Sequence, residues 1–406
     1  MTTPAGNTWL KAARIAAGYP SQQALADALG VGVRQVRRWE SDSPPWPQPE
    51  VAQALTRLLG QDLESLGFAS PSRVPDRGRR AVFGATAAIG LATVPTQTVA
   101  VQPATAADDY CAITRSHRRL YWSVAPATLH PAALSHAALG CALLPETAGQ
   151  TRQRIAAALA ETCLLAGRIE FFDLRDPARA QDTFLRALQA AGEADDALLG
   201  AAILAHTAFI PGWAGEREAA VERMVAARTY ARRGLASAQL LAWLDAVEAE
   251  CETRCGNTRT ALNLIGHGED VLASGGEYQS PEWLDWFSPV RLAAFKGNTQ
   301  LKAKHLPQAR ETLLGVLEAL EPREEKQRSV VFGDLAAVEA AVGDLEAACR
   351  YALRALDQLE RTWYAMGMER VREVRRSLAP HQHETCVREL DDRLYGWGTT
   401  VSALAR

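Results

Sequence analysis

The 406-residue chain has little of what marks several large protein classes. Its seven cysteines (Cys111, Cys141, Cys163, Cys251, Cys255, Cys349 and Cys386) are scattered through apolar helical patterns. An odd number without framework spacing argues against a disulfide scaffold and for reduced thiols in a cytoplasm. Cys251 and Cys255, one helical turn apart, read as packing residues rather than a redox or metal pair. There is no GxxxxGK[ST] loop, which disfavours a nucleotide-driven device, and no recognisable Ser/His/Asp arrangement. In His381-Gln382-His383-Glu384-Thr385-Cys386, His383 and Cys386 would share a face at a helix start, but a zinc site needs a fourth partner and better spacing. The expectation is therefore no cofactor, no metal and no enzyme. A net charge of −3 excludes a basic nucleic-acid coat.

Ser21 to Glu40, SQQALADALGVGVRQVRRWE, has the layout of a DNA-reading helix-turn-helix. Leu25 and Leu29 lie on one side of a first helix, and Ala26 is small where two helices must cross closely. Gly30 can take the left-handed conformation that ends that helix and turns the chain. Val31, Val36 and Trp39 supply apolar contacts for a second helix. At about 100° per residue, Val36 and Trp39 define its inward face, and Arg34, Arg37 and Arg38 fall opposite with Gln35 beside them. Arginine suits a major groove because its fork donates two hydrogen bonds to guanine O6 and N7. Gln22 and Gln23 follow the N-cap Ser21, where backbone N–H groups and the positive helix end favour a phosphate. The competing reading is a solvated basic face on an ordinary helical hairpin.

From Trp9 to Gly60 the chain resembles the Cro/CI-type (XRE) regulator family, with Trp9–Ala17 as a preceding helix and Glu50–Leu59 as a following one. The resemblance implies an operator-binding homodimer, with Val33, Arg34 and Arg38 facing bases and Gln35 and Arg37 nearer the DNA backbone. It also makes Gln22 and Gln23 the phosphate-contacting helix start. Two positions depart from the family: Gly32 replaces the usual Ser or Thr N-cap, and Ser41-Asp42 leads into the Pro-rich Ser43-Pro44-Pro45-Trp46-Pro47. Charge follows this division, since residues 1–80 carry 10 Lys+Arg against 7 Asp+Glu and the remainder is acidic.

Arg79-Arg80 and the apolar run Ala81–Val94 look like a twin-arginine export signal. Fourteen residues are too few to span a bilayer, and the run lies behind an intact DNA-reading segment. It reads as a linker within residues 70–107, between a DNA-binding domain at 1–69 and a third region at 108–406. No membrane partner is expected.

That third region lacks alternating strand patterns. Gly343 to Ala355 resembles the second helix of a tetratricopeptide repeat, with small residues Ala348 and Ala355 seven apart where helices pack tightly. The spacing recurs at Ala180/Ala187, Ala220/Ala227, Ala261/Gly268 and, more loosely, Ala309/Val316. The fold class expected is all-α, a small helix-turn-helix bundle followed by an α-solenoid of tetratricopeptide-like helix pairs. First helices of such pairs line a concave groove. On them, over about 236–254 and 282–296, Trp243, Glu250, Trp286 and Arg291 are candidates for an effector site, against a reading of the tryptophans as inter-helix core. The arrangement is similar to bacterial quorum-sensing regulators that bind short signalling peptides. It implies a cytoplasmic transcription regulator controlled by a peptide, a small molecule or a partner protein. The alternative is an interaction scaffold recruited to DNA without a small effector.

Overall fold

The computed structural model describes residues 7–41, 44–45, 47–59, 61, 63, 65–68 and 102–404. The chain divides into two compact units, one on either side of the 94–95 boundary. Every regular element among the described residues is helical. The run Ala81–Val94 lies outside the described residues.

The first unit contains α1 (Thr8–Ala16), α2 (Gln22–Leu29), α3 (Val33–Trp39) and α4 (Pro49–Leu59). Ser21 caps α2, its Oγ accepting from the Ala24 N–H at 3.1 Å. Gly30 ends α2 with φ +65°, and the Val31 N–H donates back to the Ala26 carbonyl at 3.0 Å. This left-handed stop makes the tight turn. Gly32 offers α3 no side-chain cap, so the start of that helix depends on packing. Packing is supplied by Leu10, Ala13, Leu25, Ala26, Val36, Trp39 and Leu55, closed by Leu66 and Phe68. The Phe68 ring meets the Trp39 ring edge-on at 6.3 Å, beyond the stretch to Gly60 that the family resemblance covers.

The second unit opens with α5 (Ala104–Leu120) and α6 (Pro126–Leu143), so its first helix begins four residues before the expected boundary at 108. Helix pairs follow: α7 (Gly149–Arg168) with α8 (Pro177–Glu193), α9 (Ala197–Ala214) with α10 (Arg217–Arg233), and α11 (Ala238–Arg254) with α12 (Thr258–Ser274). Then come α13 (Pro289–Lys302) with α14 (Leu306–Ala319), α15 (Glu325–Val342) with α16 (Leu345–Arg361), and finally α17 (Ala365–Ser377) and α18 (Thr385–Leu404). Each first helix from α7 to α17 also packs on the next first helix, which is the connectivity of a solenoid-like stack. Two corrections follow. Trp286 lies in the turn before α13 rather than on a helix, because Ser288 caps that helix by accepting from the Arg291 N–H. His383 lies in the segment between a 3₁₀ turn (Ala379–His381) and α18, so it does not share a helical face with Cys386.

All ten small-residue positions read from the sequence are buried, each pair on its second helix: α8, α10, α12, α14 and α16. First helices use glycine for the same close approach. A Cβ on Gly167 of α7 would stand 2.5 Å from the Phe184 ring of α8. Among the described residues, two helical stretches, Pro126–Glu146 and Ala197–Ala214, are long and apolar enough to cross a membrane. In α9, 61% of that stretch is buried within the unit, as a central core helix requires.

The array curls until distant segments meet. Lys326 at the start of α15 places its Nζ 3.5 Å from Asp173 Oδ1, in the π-helical turn (Ile169–Asp173) after α7. It also stands 3.7 Å from the centre of the Tyr121 ring. Tyr121 donates to Asp173 at 3.1 Å, and Arg175 pairs with Glu369 of α17.

The packing account predicts that Ala355→Leu overfills the α15–α16 contact and costs about 1–3 kcal/mol. Ala341→Leu, at an exposed position of α15, should change stability by less than about 0.5 kcal/mol. Urea unfolding of the two variants checks the difference.

Candidate nucleic-acid interface and ligand cavity

Helix α3 is held by its buried edge. Val36 and Trp39 are 0% and 1% exposed, while Arg34, Gln35, Arg37 and Arg38 are exposed and Val33 is partly so. The carboxylate at the end of the helix is committed elsewhere. Glu40 takes Arg14 Nε on Oε1 at 2.7 Å, and Gln22 Nε2 donates to Oε2 at 2.6 Å. The Arg14–Glu40 pair is almost wholly buried and ties α1 to the far end of α3. Among the described residues no carboxylate pairs with Arg34, Arg37 or Arg38, so the face keeps its positive charge. Gln23 bonds to Asp27 one turn on, at 2.7 Å. Gln22 has spent one amide donor on Glu40, which fixes its side chain at the α2 start beside α3.

Asn7 is a contributor that the sequence did not announce. Its Oδ1 accepts from the Leu10 N–H, capping α1, and its Nδ2 donates to the carbonyls of Trp39 at 3.1 Å and Leu66 at 2.8 Å. One buried amide thus joins the beginning of the unit, the end of α3 and the last turn.

Residues 10–66 match a helix-turn-helix family model. These residues form a helix-turn-helix domain. The match supports a DNA-binding transcription regulator acting where the chromosome is. A comparison of the whole chain with curated proteins gives no match.

In the second unit a cavity opens among the first helices, enclosing about 870 Å³ including its solvent-open mouth. All four residues singled out on the sequence, Trp243, Glu250, Trp286 and Arg291, line it. They come together because α11 and α13 are neighbouring first helices and the turn carrying Trp286 lies between Trp122 and Trp243, with ring centres at 6.1 and 6.3 Å. Trp243 is only 1% exposed, so it is core and cavity wall at once. Sequence reasoning missed the other contributors, among them Arg168, Phe209, Trp213, Asp334 and Arg370. Their one available signal was position on α7, α9, α15 and α17, all first helices.

The cavity's charges are mostly matched. Arg291 is buried, with Nε on Glu324 at 2.8 Å, Nη1 on Gln327 at 2.6 Å, and its guanidinium 4.6 Å from the Trp122 ring centre. Glu250 accepts from Arg254 Nε at 2.8 Å. Burial opposes its ionisation, but Arg254 and Arg370 outweigh burial and hold the carboxyl below its ordinary range. Arg370 Nε approaches Asp334 Oδ1 at 3.0 Å. Burial still pushes Asp334 up to about 6 against the pull of Arg370. His206 is fully buried against Trp243 with ring centres at 4.9 Å, and its Nδ1–H donates to the Ala202 carbonyl at 2.8 Å. Burial, then Arg168, depresses it to about 3.

The histidine gives a signed pH prediction. A folded value near 3 against an ordinary 6.5 means the unfolded chain binds the extra proton first. Stability from His206 is complete above pH 6.5 and is lost as pH falls toward 3, by up to about 1.4 kcal/mol per pH unit. Asp334 works in the opposite direction between about 4 and 6, so the comparison must isolate the histidine. Urea unfolding from pH 7.5 to 4.5 should show a shallower acid loss in His206→Gln than in wild type. Parallel curves would contradict the assignment.

Proposed function

We propose that the chain is a cytoplasmic, sequence-specific transcription regulator that binds an operator as a homodimer and is controlled by an effector in the array cavity. The observation that carries the DNA-binding part is the exposed arginine face of α3, opposite buried Val36 and Trp39 and unneutralised by any described carboxylate. Val33, Arg34 and Arg38 read base edges. Gln35 and Arg37 contact the DNA backbone, and Gln22 and Gln23 meet a phosphate at the α2 start. The second unit is read as a tetratricopeptide-like sensor, supported by the buried small residues on successive second helices.

Two half-sites of a helix-turn-helix dimer lie about 34–36 Å apart. An effector that binds one curvature of the array better than another shifts the population of dimers with that spacing, and operator affinity with it. The interaction-scaffold alternative requires a broad, flat binding face. A cavity with indole walls and a few convergent polar groups supports a peptide or small-molecule effector instead.

Genome-wide footprinting of the tagged chain, followed by gel shifts on the best site, tests the DNA reading. Arg34→Ala should cost about 1–3 kcal/mol on the specific site and relax preference at one base position. Gln22→Ala should weaken specific and random DNA alike. Enrichment unchanged in an Arg34→Ala/Arg38→Ala double variant would exclude α3 as the reading helix.

A further inference from the structure

The cavity is chemically polarised. Arg291 and Arg370 each have a carboxylate partner, as does Lys326 beside the cavity. Arg168, at the C-terminal end of α7, has none among the described residues. Its guanidinium is instead walled by aromatic rings, 4.8 Å from the centre of Trp286, 5.0 Å from Tyr121 and 5.9 Å from Trp122. Its buried Nε has no hydrogen-bond partner. Leaving a buried donor of a charged group unmet is costly, and an incoming oxyanion removes that cost.

Three more polar atoms of lining residues make no hydrogen bond: the donor Arg370 Nε, which lies 3.0 Å from Asp334 Oδ1, the donor Trp213 Nε1 and the acceptor Asn298 Oδ1. The rest of the wall is chiefly flat and apolar, with Phe172, Phe209, Trp243 and Trp286, and its two carboxylates, Glu250 and Asp334, are each paired with an arginine. A cation fork at one place, broad ring faces between, and donors and an acceptor elsewhere describe a ligand with a planar apolar body and one flat anionic group.

We propose that this cavity binds a small organic anion, its carboxylate held by Arg168 and its apolar body stacked against Trp122 and Trp286. The fork of arginine matches a carboxylate in two parallel hydrogen bonds, and indole faces accept a planar body without a specific pattern of donors. The same chemistry is supplied by a free aromatic acid or by the terminal carboxylate of a short peptide ending in an aromatic residue. The proposal rests on the reading of the array as an effector-binding unit.

Quenching of tryptophan fluorescence in the intact chain provides the test, with four probes: 2-naphthoate, 2-naphthamide, and a tetrapeptide ending in phenylalanine as free acid and as terminal amide. At least one acid should bind about tenfold or more tighter than its amide. Arg168→Gln should abolish that preference, and Arg168→Lys, which keeps charge but loses the fork, should retain part of it. The tighter acid identifies the source of the carboxylate. Melting temperatures accompany both variants. If Arg168→Gln melts early, the acid-to-amide ratio of wild type against Arg168→Lys decides. Equal binding of acid and amide, a preference that survives Arg168→Gln, or no binding of either acid overturns the proposal. Operator gel shifts with the same probes separate it from the reading beneath it. A neutral probe that changes operator affinity would sink the anion class and leave the effector reading. Acid-selective binding without a change in operator affinity would do the reverse.

Discussion

A lysine ammonium buried between two tyrosine rings and one carboxylate sets the geometry of the helical array. Lys326 is completely enclosed, with Tyr121 and Tyr364 beside it and Asp173 opposite, and burial pulls it down to about 8 despite the carboxylate. The contact spans 153 positions in sequence. A buried pair of this kind adds little net stability over an apolar substitute, but losing one partner leaves the other charge stranded. Its consequence is therefore geometric: it holds the segment after α7 against the start of α15. With those points joined, the first helices face a common space, and side chains from α7, α9, α11, α13, α15 and α17 line one cavity.

Much of this was legible from residue spacing, and the parts that were not have physical reasons. The small residues seven apart located the second helices because close helix crossings tolerate little else, and all ten are buried. Gly30 marked the turn of the first unit because its positive φ is strained for a residue with a Cβ. Trp243, Glu250 and Arg291 converge because α11 and α13 are neighbouring first helices, and Trp286 joins them from the turn before α13. Arg168 was not found, since an arginine at a helix end has a sufficient local explanation in the helix dipole. Its distinction is the carboxylate it lacks, which no spacing reveals. Asn7 and Lys326 were missed for a related reason. Their partners lie up to 59 and 153 positions away, and only the folded chain brings them together.

The same logic separates the two units. In the first, an acid is withdrawn from the exposed helix: Glu40 binds Arg14 and Gln22, and the arginines of α3 keep their charge for an external anion. In the cavity of the second, Arg291 and Arg370 are paired with carboxylates, and Arg168 is not paired with any described one. At both places the pairing of neighbouring groups leaves particular arginines without a carboxylate among the described residues, and in the first unit this adds to a local excess of basic residues. This is how a chain with net charge −3 can present two anion-seeking sites.

The position of Arg168 also says on which contact a bound anion would act. Arg168 lies close enough to Lys326 to disfavour the lysine's charged form. It does the same to Arg291. It also favours the ionised carboxyl of Asp173, so it acts on the two partners of the Lys326–Asp173 contact in opposite senses. A carboxylate seated on Arg168 would relieve the repulsion of Lys326 and weaken the support of Asp173 together. Occupancy and this contact would therefore be coupled through Arg168, and linkage makes that coupling reciprocal. On the proposed reading, the response of the operator depends on which array curvature the ligand favours and on whether that curvature places two reading helices one DNA turn apart.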